Sequence, residues 1–274
     1  MDNYLVGAEA TEPSETGSNM AKKKIDGACH ICRVVGPLSF EHVPPHAAYN
    51  KGPAVSHDFS EWLGGGDWDP AGKKKEQRGV GAYTLCETCN NNTGSWYGSE
   101  YVNWANQAFS RLGSILPGRY ADAGLVALKF AGVRPLRFIK QVVAMIFSAN
   151  SPSFAEKNPA LVNFVLDRDA TGLPSEYQVY ITLLRGNLSR LSGVSGEMNF
   201  ETGGMIVKSE IAHPPFGLVM TFDSPPPREC GQITHFANFG LDDRQDTTVL
   251  MNTGEIYSPY PDDNRAGSTF QRGR

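Results

Sequence analysis

Two short cysteine pairs, Cys29-His30-Ile31-Cys32 and Cys86-Glu87-Thr88-Cys89, carry the clearest chemical potential in the chain. Each C-x2-C knuckle lets two thiolates reach one ion, and two knuckles complete the closed tetrahedral set that holds structural zinc. A single pair would also suit a thioredoxin-like redox dithiol, but two pairs without a βαβ pattern favour the metal. Between them, Phe40-Glu41-His42-Val43-Pro44-Pro45 sets a carboxylate beside an imidazole. On an extended strand Glu41 and His42 point to opposite faces, so one can hold a cation while the other faces the attacking water. Asn90-Asn91-Asn92 follows the second knuckle directly. Asparagine is a good helix cap, and at least one of the three reads as a cap for the helix that follows. Its side-chain carbonyl is also a hard oxygen ligand for Mg2+ or Mn2+.

Together these motifs resemble the HNH (ββα-metal) endonucleases in their zinc-ribbon form. The matching residues are Cys29, Cys32, Glu41-His42 and Leu85-Cys86-Glu87-Thr88-Cys89-Asn90, within residues 29–97. The resemblance implies structural zinc on Cys29, Cys32, Cys86 and Cys89, and a catalytic Mg2+ or Mn2+ held by Glu41 and Asn90, with Asn91 as the reserve ligand. It implies His42 as the general base that takes a proton from water, a role suited to an imidazole that titrates near neutrality. Many members carry a middle Asn before the second knuckle that orients the histidine. That place falls on Gly81 here. Either the backbone or another residue orients His42, or the site is weakened.

The expected function is therefore metal-dependent hydrolysis of DNA phosphodiester bonds, with RNA also open as substrate. Lys73, Lys74, Lys75 and Arg78 lie between the motif halves and suit sequence-independent phosphate contacts, or simply a solvated loop. His46 reads as structural or surface, and His30 as an exposed residue of the first knuckle. The alternative is a zinc-dependent nucleic-acid-binding or interaction module without catalysis.

Elements must position these groups. Residues 1–24 read as a disordered segment, 25–117 as the HNH-like zinc-binding domain, 118–261 as an α+β C-terminal domain, and 262–274 as a tail. Few apolar residues punctuate 25–95, so a metal staple is needed there. Tyr97, Tyr101, Trp104, Ala108, Leu112 and Ile115 recur at steps of three and four, which predicts a helix over 95–116. A second helix is expected from Pro135 to Phe147 with one apolar face, and Arg134, Arg137 and Lys140 away from it. Ser153 to Glu156 has capping-box spacing, and Asn158-Pro159 starts a short helix through Val165. Strands are expected around 177–183, 216–222, 233–239 and 247–251, with a turn at Gly203-Gly204. The fold class is α+β.

The C-terminal half carries no motif tied to chemistry. Target recognition, homo-oligomerisation, or sensing of a signal that licenses the nuclease, as in a defence effector, are the roles open to it. The net charge of −4 gives no overall basic field, and no apolar run reaches membrane-spanning length. The N-terminus lacks a charged-then-apolar leader, and four of five cysteines sit in knuckles, which leads to an expected cytoplasmic protein. Cys230 reads as a buried small apolar residue.

Overall fold

A computed structural model describes residues 25–51, 54–55, 75–76, 78–114, 124–184, 189–198, 204–227 and 231–252. The expectations for the two termini, Cys230, Ile115 and the lysines at 73 and 74 fall outside these residues.

The first layer is a three-stranded antiparallel sheet of β1 (Ile25–Ala28), β2 (Val35–His42) and β5 (Gly81–Cys86), in the order β1-β2-β5. A two-stranded pair, β3 (Ala54–Val55) and β4 (Lys75–Glu76), lies between β2 and β5 in sequence. Helix α1 (Glu87–Thr93) follows β5 without a loop, passes through a π-helical turn at Gly94–Gly98, and continues as α2 (Ser99–Ser114). The helix expected over 95–116 therefore starts eight residues earlier, at Glu87. The asparagines lie inside α1, and Cys86, not an asparagine, stands at its N-cap. Tyr97, Tyr101, Trp104, Ala108 and Leu112 are all buried, as their spacing predicts.

Strand β6 (Leu125–Val133) pairs antiparallel with β12 (Gln245–Asn252). Helix α3 (Pro135–Ala149) follows, opened by Pro135 in the first turn, where its missing N–H costs nothing. The one-sided apolar face expected for α3 is corrected: the helix is buried nearly all round. Lys140 is fully buried, and its ammonium donates to the carbonyls of Phe164 (2.7 Å) and Asp167 (2.6 Å). Arg137 donates to the carbonyls of Trp96 and Leu241, and Arg134 pairs with Glu100 at 3.5 Å. These cations thus tie α3 to its neighbours.

Helices α4 (Ser153–Lys157) and α5 (Pro159–Leu166) are short. The capping box does not form, because Ser153 is already helical and Pro152 occupies the cap. The second sheet is antiparallel, in the order β11-β7-β10-β9-β8, with β7 (Tyr177–Leu183), β8 (Arg190–Met198), β9 (Met205–His213), β10 (Phe216–Phe222) and β11 (Gly231–Gln232). The strand expected over 233–239 is instead a 3-10 turn at Thr234–Asn238. Phe236 and Ala237 in this turn, and Ile233 at its N-cap, are buried.

One apolar core joins these layers. Trp104 of α2 stacks on Phe138 of α3 (4.3 Å between ring centroids) and on Phe130 of β6 (4.1 Å). Each such fully buried ring contributes roughly 2–3 kcal/mol by area removed from water. The same cluster runs from Cys29 and Leu85 through α3 to Phe216 and Met251, so the core does not break at the boundary expected after residue 117. Among the described residues no helix is long and apolar enough to cross a membrane.

Candidate metal centre and histidine site

The first knuckle is the turn between β1 and β2. Cys29 closes it, donating its N–H to the Val34 carbonyl (3.0 Å) and accepting from the Arg33 N–H (2.9 Å), with Arg33 left-handed at φ 64°. His30 N–H donates to the Thr84 carbonyl (2.8 Å), which lays the turn against β5. The second knuckle is the junction of β5 with α1, with Cys86 at the cap and Cys89 in the first turn. The register of β2 with β5, Leu38 opposite Cys86, brings the two knuckles together.

All four sulfurs lie within 4.8 Å of one another. Zinc–sulfur bonds of about 2.3 Å in a tetrahedron require sulfur separations of about 3.8 Å. Cys32 Sγ and Cys86 Sγ are 3.7 Å apart, and all four thiols are free. A disulfide needs about 2.05 Å, so the spacing is that of ligands and not of a bridge. Crowding four thiols splits their titration: the Cys89 thiol, donating to Cys29, brings Cys29 down to about 4, and the same bond pushes Cys89 up. The donor set fits zinc.

His30, expected to be exposed, is half-buried with Nδ1 3.3 Å from the Phe147 carbonyl. Glu41 and His42 do point to opposite faces of β2. Glu41 is 5% exposed, and its Oε2 accepts from the hydroxyls of Ser148 on α3 and Thr84 on β5 (Thr84 at 3.3 Å). Burial raises its pKa to about 7, with the two hydroxyls opposing. Between the ordinary value of 4.5 and about 7, the folded protein holds a proton that the unfolded chain releases. Glu41 therefore contributes stability that is complete below this window and is lost as pH rises through it, about 3 kcal/mol in all. Glu41→Gln, which keeps the acceptor and removes the charge, is expected to lose about that much of the pH dependence of unfolding between pH 5 and pH 8. Parallel pH–stability curves in urea titrations of variant and wild type would contradict this.

His42 lies on the other face, half-exposed, with its ring edge-on to Phe40 (5.0 Å) and to the exposed His46 (4.9 Å). Its Nε2 is 2.8 Å from the Arg78 carbonyl. A carbonyl only accepts, so Nε2 carries the hydrogen, and in the neutral ring the lone pair then sits on Nδ1. Burial lowers the His42 pKa, which favours the neutral ring. The exposed Arg78 guanidinium stands over the Phe40 ring (5.7 Å), and its Nη1 is 3.5 Å from Tyr83 Oη. Lys75 lies in β4.

Asn90 Nδ2 donates to Ser39 Oγ (2.9 Å) and to the Phe40 carbonyl (3.2 Å), pinning α1 to β2 at its bulge. Asn91 is exposed. The side chains of Glu41, His42 and Asn90 thus bond to three different sets of partners. In these positions the Glu41 carboxyl bonds to Ser148 and Thr84, while the Asn90 amide bonds to Ser39 and the Phe40 carbonyl.

Gly81 cannot supply the middle asparagine. A Cβ there would fall on the Glu41 carbonyl oxygen and within 2.9 Å of the Phe40 ring. Two groups that sequence reasoning missed stand nearby: Ser148, whose partner is on another element, and Asn50, buried in the loop after His42. No local pattern marks either, because their bonds span 107 and 30 residues. Comparison with known proteins gives no match to a family model, a curated protein or a solved structure.

Proposed function

We propose that the chain is a metal-dependent endonuclease of HNH type that hydrolyses DNA phosphodiester bonds. The observation that carries this reading is the unit β2–β5–α1. It is an antiparallel strand pair running straight into a helix, closed by four cysteines, with His42 at the strand end and its Nε2 turned to the Arg78 carbonyl. In this reading His42 Nδ1 removes a proton from water as that water attacks phosphorus, and the Arg78 carbonyl holds the tautomer that permits it. Arg78, with the lysines at 73–75, receives the phosphates on either side. A Mg2+ or Mn2+ ion would polarise the scissile phosphate and stabilise the leaving 3′ oxygen. Asn90, Asn91 and an ionised Glu41 are its candidate ligands, and the Glu41 carboxyl must leave Ser148 to serve.

Incubating zinc-loaded protein with supercoiled plasmid and added Mg2+ or Mn2+ tests the reading: nicked circles are expected with the ion and not with a chelator of it. Intact plasmid under every divalent ion contradicts it.

The buried, hydroxyl-bound Glu41 favours a second reading, a zinc-stapled nucleic-acid-binding module without catalysis. Salt-sensitive plasmid retention without nicking would select it.

A further inference from the structure

We propose that Asn50 is the positioning residue for His42, acting through the backbone of residues 78–80. The inference rests on the nuclease reading and supplies what Gly81 cannot.

Asn50 is 2% exposed, and its amide is spent on backbone. Nδ2 donates to the carbonyls of Pro44 (2.7 Å) and Val80 (2.7 Å), and Oδ1 accepts from the Val80 N–H (2.7 Å). Two donors and one acceptor meet two carbonyls and one N–H, a match that among side chains needs a carboxamide of this length. The segments it joins are the loop after His42 and the entry to β5. Val43 N–H reinforces the join, donating to the Val80 carbonyl at 3.0 Å.

Arg78 lies two residues before Val80, and its carbonyl accepts from His42 Nε2. The residue between them, Gly79, takes φ +89°, a left-handed conformation that side chains resist. It packs on Asn50 so closely that a Cβ there would lie 2.6 Å from Oδ1. The path of 78–80 is therefore moulded on Asn50. That path aims the Arg78 carbonyl, and the carbonyl fixes which ring nitrogen of His42 carries the hydrogen. Asn50 touches neither His42 nor substrate in this scheme; it sets the tautomer at one remove.

The test uses full-length, zinc-loaded protein with Asn50→Ala and Asn50→Asp. Asn50→Asp retains the acceptor for the Val80 N–H and loses both donations, so it carries the test if the alanine variant does not fold. Two readouts are taken: the His42 tautomer from ring 15N chemical shifts above its pKa, and plasmid nicking with Mn2+. Wild type is expected as the Nε2–H tautomer. The variants are expected to shift toward a tautomer mixture, with kcat per folded molecule down at least tenfold and KM within about twofold; the tautomer shift in folded protein is the readout that a general loss of fold would not give. A folded variant that keeps the wild-type tautomer overturns the inference, whatever its rate. If wild type does not nick but the tautomer shifts in the variants, Asn50 keeps its positioning role and the nuclease reading falls.

Discussion

Cys89→Ser is expected to lose bound zinc and to lower the melting temperature by roughly 10 °C or more. The reason is how little else holds this region. Among the described residues from 25 to 89 the buried apolar side chains, apart from Cys29 and Cys89, are Ile31, Val43, Pro44, Ala48 and Leu85. That is too thin to fix three strands and a helix end unaided. A zinc ion on the four cysteines would supply what the core does not, since apparent binding energies of structural zinc are on the order of 10 kcal/mol at neutral pH and become folding energy where no site exists in the unfolded chain. Cys89 is 4% exposed and sits in the first turn of α1, so its loss frees the helix from the β1–β2 turn and leaves a hydroxyl buried in its place. Zinc content and calorimetry on variant and wild type check this together. A variant with unchanged zinc and an unchanged melting temperature contradicts it.

His42→Ala is expected to behave in the opposite way, with stability and zinc kept and the nicking rate reduced by about 10²–10⁴. The ring is half-exposed and packs edge-on to Phe40 and His46, so truncating it opens no enclosed cavity. The Arg78 carbonyl that it leaves lies on an exposed residue, where water can replace the imidazole. What disappears is the lone pair at Nδ1. The pH profile has a defined sign: a base must be neutral to act, so the wild-type rate falls as pH drops through the His42 pKa. Burial holds that pKa below the ordinary 6.5, so the fall sets in at lower pH than for a free imidazole. Equal rates for His42→Ala and wild type remove the imidazole from the mechanism.

The parts of the fold that local spacing encodes were legible in the sequence. Tyr97, Tyr101, Trp104, Ala108 and Leu112 repeat at the helical period and are buried, and the alternation of 177–183 and the apolar run of 216–222 became β7 and β10 residue for residue. Where two periods compete the reading fails. Ile233, Phe236 and Ala237 are apolar residues that suggest a strand, yet Ile233 and Phe236 stand three residues apart, one turn of the 3-10 helix found there. The start of α1 was hidden because a helix-poor asparagine run and two glycines, Gly94 and Gly98, look like a loop, whereas Asn90 is held inside the helix by its bonds to β2. Lys140 was misplaced for a similar reason. Nothing near it in sequence announces that the carbonyls of Phe164 and Asp167 will meet its ammonium in the core.

The candidate site divides along the same line. A cysteine pair two residues apart is a local signal, and both pairs landed in one cluster. The alternation of Glu41 and His42 is also local, and it held. What each faces is not: Ser148 comes from α3 and Arg78 from the approach to β5, and these long-range partners hold the Glu41 carboxyl in the interior and set which His42 nitrogen meets a carbonyl. Asn50 belongs to the same class, since its bonds to Val80 become visible only once β2 and β5 are paired.

Every role assigned here depends on one ion joining the β1–β2 turn to the start of α1. X-ray absorption at the zinc edge of the purified full chain measures that directly. One zinc per chain with four sulfurs at about 2.3 Å is the result predicted. A chain without zinc, or a shell in which nitrogen or oxygen replaces the thiolates, contradicts it.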